Sequence, residues 1–298
     1  MSETTASLRR KIGGAEDLQS VVRTMKAMAA ASIEQYEKSV RALTDYNRTV
    51  ELGLVACFRS SGTLSFLAKG QKAAATGKIA AVVFGSDQGL VGQFNDVVAD
   101  YAIKTLATLP AQTEIWAVGE RVHTRLTEAG LLLRGLFMVP NSVKAITPLI
   151  GQILVESVTP SHQGENLELY LFHNRPTSGA IYTPVSQRLL PLDEKWRRQL
   201  AERPWPTARL PEVIGQEIAT LQALLREYLF VSIFRACAES LASENASRLA
   251  AMQRADKNID ELLGELKRNF HSLRQGGIDE ELFDVISGFE ALRGGKSL

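Results

Sequence analysis

Two long stretches of this chain keep apolar residues at steps of three and four. The longer runs from about Pro211 to Phe289, with no proline after Pro211 and no glycine between Gly215 and Gly264. Ile214, Ile218, Leu221, Leu225, Tyr228, then Leu249, Met252, Ile259, Leu263, Leu266, Phe270 and Leu273 share one face of a helix with 3.6 residues per turn. About 70 helical residues reach roughly 100 Å, more than one compact domain needs. Such a helix must bury its stripe against a partner. The second stretch, Thr4–Arg59, offers one through Leu8, Ile12, Ala15, Leu18, Val22, Met25, Ala29, Ile33, Tyr36, Val40, Leu43, Asn47, Val50 and Leu54. From Ala29 onward its steps alternate four and three, a repeat that implies left-handed supercoiling. Gly13-Gly14 weakens it by about 1 kcal/mol per glycine relative to alanine. Ala27 and Ala29-Ala30-Ala31 would let a partner helix approach closely.

The pattern changes between these stretches. Residues 60–78 are rich in Gly, Ser and Lys and read as a linker or loop. Lys78–Phe84 is a short apolar run of the buried-strand kind, followed by the turn Gly85–Phe94, with Asn95 as N-cap of a helix through about Leu106. A strand at Thr113–Val118, a helix at Glu120–Ala129 and an apolar stretch at Leu131–Val139 come next. A helix at Val143–Ser157, a strand at Leu167–Asn174 and a further strand within Gly179–Arg188 complete the alternation. Strands alternating with helices predict a small α/β layer around a largely parallel sheet. The segment 190–211, with Pro191, Pro204, Pro206 and Pro211, returns the chain to the long helix. The expected fold is α/β plus a long antiparallel coiled coil: terminal helices at 1–59 and 209–298 flank a Rossmann-like α/β domain inserted at 60–208.

Composition removes several function classes. Net charge is +1 over 298 residues, which gives no long-range field for nucleic acid or an anionic membrane surface. Cys57 and Cys237 stand alone without metal spacing, as buried thiols suited to a reducing compartment. No run of about 18 apolar residues spans a bilayer, and the basic Leu8–Ile12 segment is followed by no signal-peptide core.

Candidate chemistry is sparse. The strand–turn–helix at Ile79–Leu106 invites a phosphate-site reading, but it has neither GxGxxG nor a Gly-Lys-Ser/Thr, so a structural turn is favoured. His123, His162, His173 and His271 share no metal-ligand spacing and read as surface or satisfied polar residues. Ser86-Asp87 has no nearby base, and no catalytic, cofactor or metal site emerges. Arg23 and Lys26 flank Met25, and Glu244 precedes Arg248 by four residues, the favourable order for a helical ion pair. Arg274-Gln275 precedes Gly276-Gly277, where a kink is allowed and Asp279 could cap a new turn. Beyond it Leu282, Phe283, Ile286 and Phe289 make an apolar tip that either docks on its own domain or inserts into a partner.

Three blocks resemble the gamma subunit of F-type ATP synthases across nearly the whole chain. LRRKIGGAEDLQSVVRTMKAMAAAS (Leu8–Ser32) is similar to that family's N-terminal block. GSDQGLVGQFN (Gly85–Asn95) is like its Ser-Asp-Arg-Gly-Leu-Cys-Gly-Gly-Leu-Asn motif. The most specific block is Glu227–Leu266, with Glu239-Ser240-Leu241-Ala242-Ser243-Glu244, Arg248, Met252 and Ala255, continuing through Ser272–Leu292. Gln88 and Val91 depart from the usual Arg and Cys, Ala27 and Ser32 from Met and Lys, and Gly276-Gly277 from Ala-Ala. These departures are compatible with a divergent, second-copy enzyme.

The resemblance implies a non-catalytic, cofactor-free central-stalk rotor. Its antiparallel helices would turn inside a hexamer of alpha and beta subunits, with the α/β domain near the epsilon subunit and the membrane ring of c subunits. Ion flow would thereby be coupled to ATP synthesis or hydrolysis at the cytoplasmic face of a bacterial membrane. By motif match, Met25, Lys26, Arg248, Arg274 and Gln275 are expected to meet beta-subunit loops, and Leu282, Phe283, Ile286 and Phe289 to turn in a hydrophobic sleeve. Two other readings remain: a stand-alone coiled-coil scaffold whose α/β unit binds a peptide, and an α/β enzyme with a nucleotide at Gly85–Gly92.

Overall fold

The computed structural model describes residues 4–59, 78–109, 113–158, 167–178, 180–192, 194–202, 204–207, 209, 211 and 216–294. His162, Ile214 and nearly all of the expected linker, residues 60–77, lie outside them. The elements in chain order are α1 (Thr5–Arg59), β1 (Lys78–Phe84), α2 (Phe94–Leu106), β2 (Thr113–Val118), α3 (Glu120–Glu128), β3 (Leu133–Phe137), α4 (Val143–Val158), β4 (Leu167–Thr177), β5 (Ala180–Leu190), α5 (Glu194–Ala201) and α6 (Glu217–Gly294). The expected order of long helix, inserted α/β unit and long helix is observed. Two compact units result, Met1–Met28 with Leu249–Leu298, and Ala29–Arg248.

The larger unit holds a five-stranded sheet in the order β3-β2-β1-β4-β5. β1 pairs in parallel with β2 and β4, β2 in parallel with β3, and β4 antiparallel with β5. The order reverses at β1, so the crossover helices fall on opposite faces. Alternation along β1 feeds both layers. Ala81 and Val83 join Val98, Ala102, Val122 and Leu126 of α2 and α3 on one face. Ala80, Val82 and Phe84 face Ile146, Ile150 and Ile153 of α4, together with Tyr36 of α1 and Ile233, Cys237 and Leu241 of α6. The two long helices are therefore part of the domain core. Cys57 and Cys237 are buried free thiols, and burial pushes the Cys237 thiol well above its ordinary range, with Glu244 adding to it.

Three details differ from the pattern. α5 lies inside the proline-bearing return segment. It is held by Trp196, whose Nε1 donates to Tyr228 Oη at 3.1 Å and whose ring meets Phe58 edge-on at 6.0 Å. Asn95 is not the N-cap of α2, because Gln93 occupies that position without a side-chain cap. Finally, α6 is helical through Gly276, Gly277 and Asp279 to Gly294, with no new cap and no separately folded tip. Helix propensity on both sides outweighs the glycines' preference for coil, which totals about 2 kcal/mol.

In the smaller unit the start of α1 packs on the end of α6. Leu8, Ala15, Met252 and Leu263 are buried between them. Arg9 lies 5.7 Å above the Phe270 ring, Glu16 pairs with Lys267 at 2.9 Å, Gln19 bonds Asp260, and Arg23 reaches Asp256 at 3.2 Å. Partner numbers fall as α1 advances, so the helices are antiparallel.

Candidate partner-binding surfaces

The Gly85–Asn95 turn spends its polar groups on itself and its neighbours. Asn95 Oδ1 accepts from the Ser86 amide at 2.9 Å, and its Nδ2 donates to Ser86 Oγ at 2.8 Å. Asp87 accepts from the Glu120 amide at 3.0 Å and the Val139 amide at 2.9 Å, tying α3 and the end of β3 to the turn. Ser247 of α6 donates to the Val91 carbonyl at 2.5 Å. In doubly wound sheets a nucleotide sits at the carboxyl end of the switch-point strand. Here the turn amide of Ser86 is taken by Asn95, and α6 is bonded to the turn at Val91.

Farther along β4, His173 and Arg175 point to one face and meet α6. Glu239 Oε1 accepts from Arg235 Nε at 2.7 Å. Its Oε2 accepts from Arg175 Nε at 2.8 Å and lies 2.9 Å from His173 Nε2. Burial alone would push the Glu239 carboxyl up, but the bonds from His173, Arg235 and Arg175 overcome it and hold the group at about 2. Burial lowers His173 below its ordinary value despite Glu239. His173 is buried with Nε2 bonded to Glu239, while its Nδ1 has no partner among the described residues. The Glu239 cluster was not legible beforehand. Arg235 and Glu239 show i,i+4 spacing, but His173 and Arg175 lie more than 60 residues away.

The residues expected at partner contacts are spread over both units. In the smaller one, Met25 is half-buried and Lys26 Nζ bonds Asp256 at 2.8 Å. The hydrogen bond from Lys26, helped by Arg23, holds the Asp256 carboxyl below its usual range against the opposing effect of desolvation. Arg274 and Gln275 are exposed. In the larger unit, Arg248 pairs with Glu244 at 2.7 Å, and both side chains are nearly buried. Burial leaves the Glu244 carboxyl raised in spite of Arg248.

Among the described residues, the ladder in the smaller unit reaches as far as the contact of Arg9 with Phe270. Beyond that point α6 continues without a packing partner among the described residues. Ile278, Leu282, Phe283, Val285 and Ile286 are each 45% or more exposed. The Phe289 side chain lies outside the described part. A run of exposed apolar residues of this extent is uncommon on a monomeric protein surface.

Antiparallel long helices, an inserted doubly wound domain and an apolar helix end with no packing partner among the described residues define a class of long-helix α/β proteins. A family model described as ATP synthase matches residues 4–292, and the chain belongs to the ATP synthase gamma-chain family. The ATP synthase gamma chain of Magnetococcus marinus is 26% identical over 302 residues, covering 97% of this chain and 98% of the relative. That of Clavibacter sepedonicus is 29% identical over 297 residues, covering 96% and 97%. Among solved structures, a chain of the Euglena gracilis mitochondrial ATP synthase (OSCP/F1/c-ring) superposes with a TM-score of 0.65 at 18% identity, covering 99% of this chain and 96% of that one. A chain of the Tetrahymena thermophila mitochondrial ATP synthase central stalk and c-ring gives 0.52 at 19% identity, covering 79% and 99%. At these identities the structures share the fold.

Proposed function

We propose that this chain is the central-stalk rotor of an F-type ATP synthase, coupling ion flow through the membrane ring to ATP synthesis or hydrolysis in the alpha/beta hexamer. The apolar end of α6, which no described residue covers, carries the reading. A helix end with half-exposed Leu282 and Ile286 and a more exposed Phe283 is stable in water only at a cost, and a surrounding sleeve removes it. Rotation of an asymmetric helix pair would present different faces to successive beta subunits and shift their nucleotide affinities in turn. The chain itself performs no catalysis in this scheme. Met25, Lys26, Arg248, Arg274 and Gln275 meet beta-subunit loops, while the α/β unit faces epsilon and the c-ring at the cytoplasmic side of the membrane. The self-satisfied Gly85–Asn95 turn weighs against the nucleotide-enzyme alternative.

The test is a pull-down from detergent-solubilised membranes, joined to ATP-driven ion pumping by the purified complex. Alpha, beta and epsilon subunits should co-purify. Arg274→Ala with Gln275→Ala, or removal of residues from Leu282 on, should lower pumping relative to hydrolysis while assembly persists. Self-association without those partners would support the scaffold alternative instead. Unchanged pumping in both variants would remove these residues from the coupling surface.

A further inference from the structure

Glu239 gathers more positive charge than it neutralises. Two guanidiniums, Arg175 and Arg235, bond its one carboxylate, whose side chain is only 6% exposed. The arginine side chains are themselves 41% and 48% exposed. Each uses Nε on Glu239, and no described residue bonds an Nη atom of either. With His173 neutral, these groups by themselves carry a surplus of about one positive unit, before the Glu37 and Glu51 carboxylates of the surrounding walls are counted.

That side opens into two cavities. One of about 300 Å³ is lined by Glu37, Arg41, Arg175 and Arg235 among others. The second, of about 220 Å³, has Asn47, Gln187, Ser232 and the same Arg175 and Arg235 in its wall. The two guanidiniums therefore stand between the cavities. All of these residues belong to the larger unit. Arg41 forms no ion pair with a described residue and supplies a third cation at the rim.

We infer that the Arg175–Arg235 pair, with Arg41 at the rim, binds a phosphate-class oxyanion: inorganic phosphate or the terminal phosphate of a nucleotide. Planar guanidiniums match two oxygens of such an anion at once, and anchoring by Glu239 removes much of the ordering cost. The cavities have room for a small anion but not for a folded segment. Glu37 and Glu51 lie in the walls as well, which disfavours a fully charged sulfate. Hydrogen phosphate can donate its P–OH to a carboxylate, and sulfate cannot.

The full chain is titrated at fixed ionic strength with inorganic phosphate, sulfate, ATP and adenosine, read by thermal unfolding and, for phosphate and ATP, by phosphorus NMR line width. Phosphate should raise the unfolding midpoint more than sulfate does. Arg41→Gln should weaken phosphate about threefold without moving the unliganded midpoint, because Arg41 is exposed and unpaired among described residues. Arg235→Lys keeps a cation beside Glu239 but loses the fork, and should weaken phosphate about tenfold. Binding of ATP but not adenosine marks a nucleotide phosphate as the source. Binding of phosphate without ATP marks the free anion. A midpoint that phosphate does not move, or one that sulfate moves equally and neither variant alters, overturns the site.

Discussion

Asn95 and Ser86 hold each other through both ends of the amide. Oδ1 takes the Ser86 backbone N–H and Nδ2 gives to Ser86 Oγ, at 2.9 and 2.8 Å. Ser86 is fully buried, so loss of Asn95 leaves a backbone donor without water. Asn95→Ala should destabilise the chain by about 1–3 kcal/mol in denaturant unfolding. Asn95→Asp keeps the acceptor for the amide, and should cost less than alanine if the backbone bond dominates.

Gly119 follows β2 with φ +113°, a conformation that side-chain-bearing residues rarely adopt. A Cβ there would stand 2.8 Å from the Ser86 backbone. The Gly119 amide donates to the Phe137 carbonyl at 2.9 Å, so the backbone cannot swing away without losing that bond. Gly119→Ala should therefore lower the chain's unfolding free energy by more than about 2 kcal/mol. Gly130→Ala tests the space contribution separately. Gly130 also has positive φ, +81°, but nothing lies within 4 Å of its Cβ position, so its loss should be smaller.

Acid should destabilise the larger unit in two steps of the same sign. His173 is depressed below its ordinary 6.5, so the unfolded chain binds the proton better. Its contribution is complete above about 6.5 and declines as pH falls toward the folded value. Glu239 is held at about 2 against an ordinary 4.5, so its contribution is complete above 4.5 and is lost as pH falls through 2. Allowing for partial solvent screening, the lower step is on the order of 2 kcal/mol. Unfolding midpoints measured from pH 8 to pH 2 should show both declines. Glu239→Gln should abolish the lower one, and His173→Gln the upper.

Much of the fold was legible because its signals are local. β2 matches the expected strand at Thr113–Val118, and α4 matches the apolar period that starts at Val143. α5 escaped notice because Pro191, Pro204 and Pro206 surround eight residues, and its stability comes from Trp196 packing on Phe58 and Tyr228. A polar residue before a helix also has two possible uses. Asn95 had the identity of a cap, and only the fold shows its amide turned back on Ser86. The Glu239 cluster joins β4 to α6 across more than 60 residues, a pairing that no periodicity encodes. The apolar end of α6 was visible in sequence, whereas only the fold shows that no described residue packs on it.

Lys26 offers a way to separate coupling from stability. Its ammonium pairs with Asp256, which also holds Arg23. Lys26→Gln leaves Arg23 on that carboxylate, so the partly buried charge stays paired and the unfolding midpoint should change little. If Lys26 meets a beta-subunit loop, the ratio of ATP-driven pumping to ATP hydrolysis should fall in this variant. Asp256→Asn provides the converse. It releases Lys26 and leaves Arg23 only its longer contact with Asp260 at 3.7 Å, and should alter the salt dependence of pumping more than it alters the fold. A pumping ratio unchanged in Lys26→Gln would show that the lysine serves Asp256 alone.

Gly276 and Gly277 lie inside α6 rather than at a break, and nothing is within 4 Å of either Cβ position. Replacing both by alanine therefore adds methyl groups to open space and removes the glycine cost of about 1 kcal/mol each. The end of the helix should stiffen locally, since the residues around it are exposed and contribute little to the core. Hydrogen exchange should slow by about tenfold or more for amides from about residue 270 to residue 290, while those of the α/β sheet stay unchanged. In the assembled rotor a stiffer end should transmit force at least as well, so ATP-driven pumping should equal or exceed that of the parent chain. A marked loss of pumping with the predicted slowing of exchange would mean that the glycines bend once α6 is enclosed.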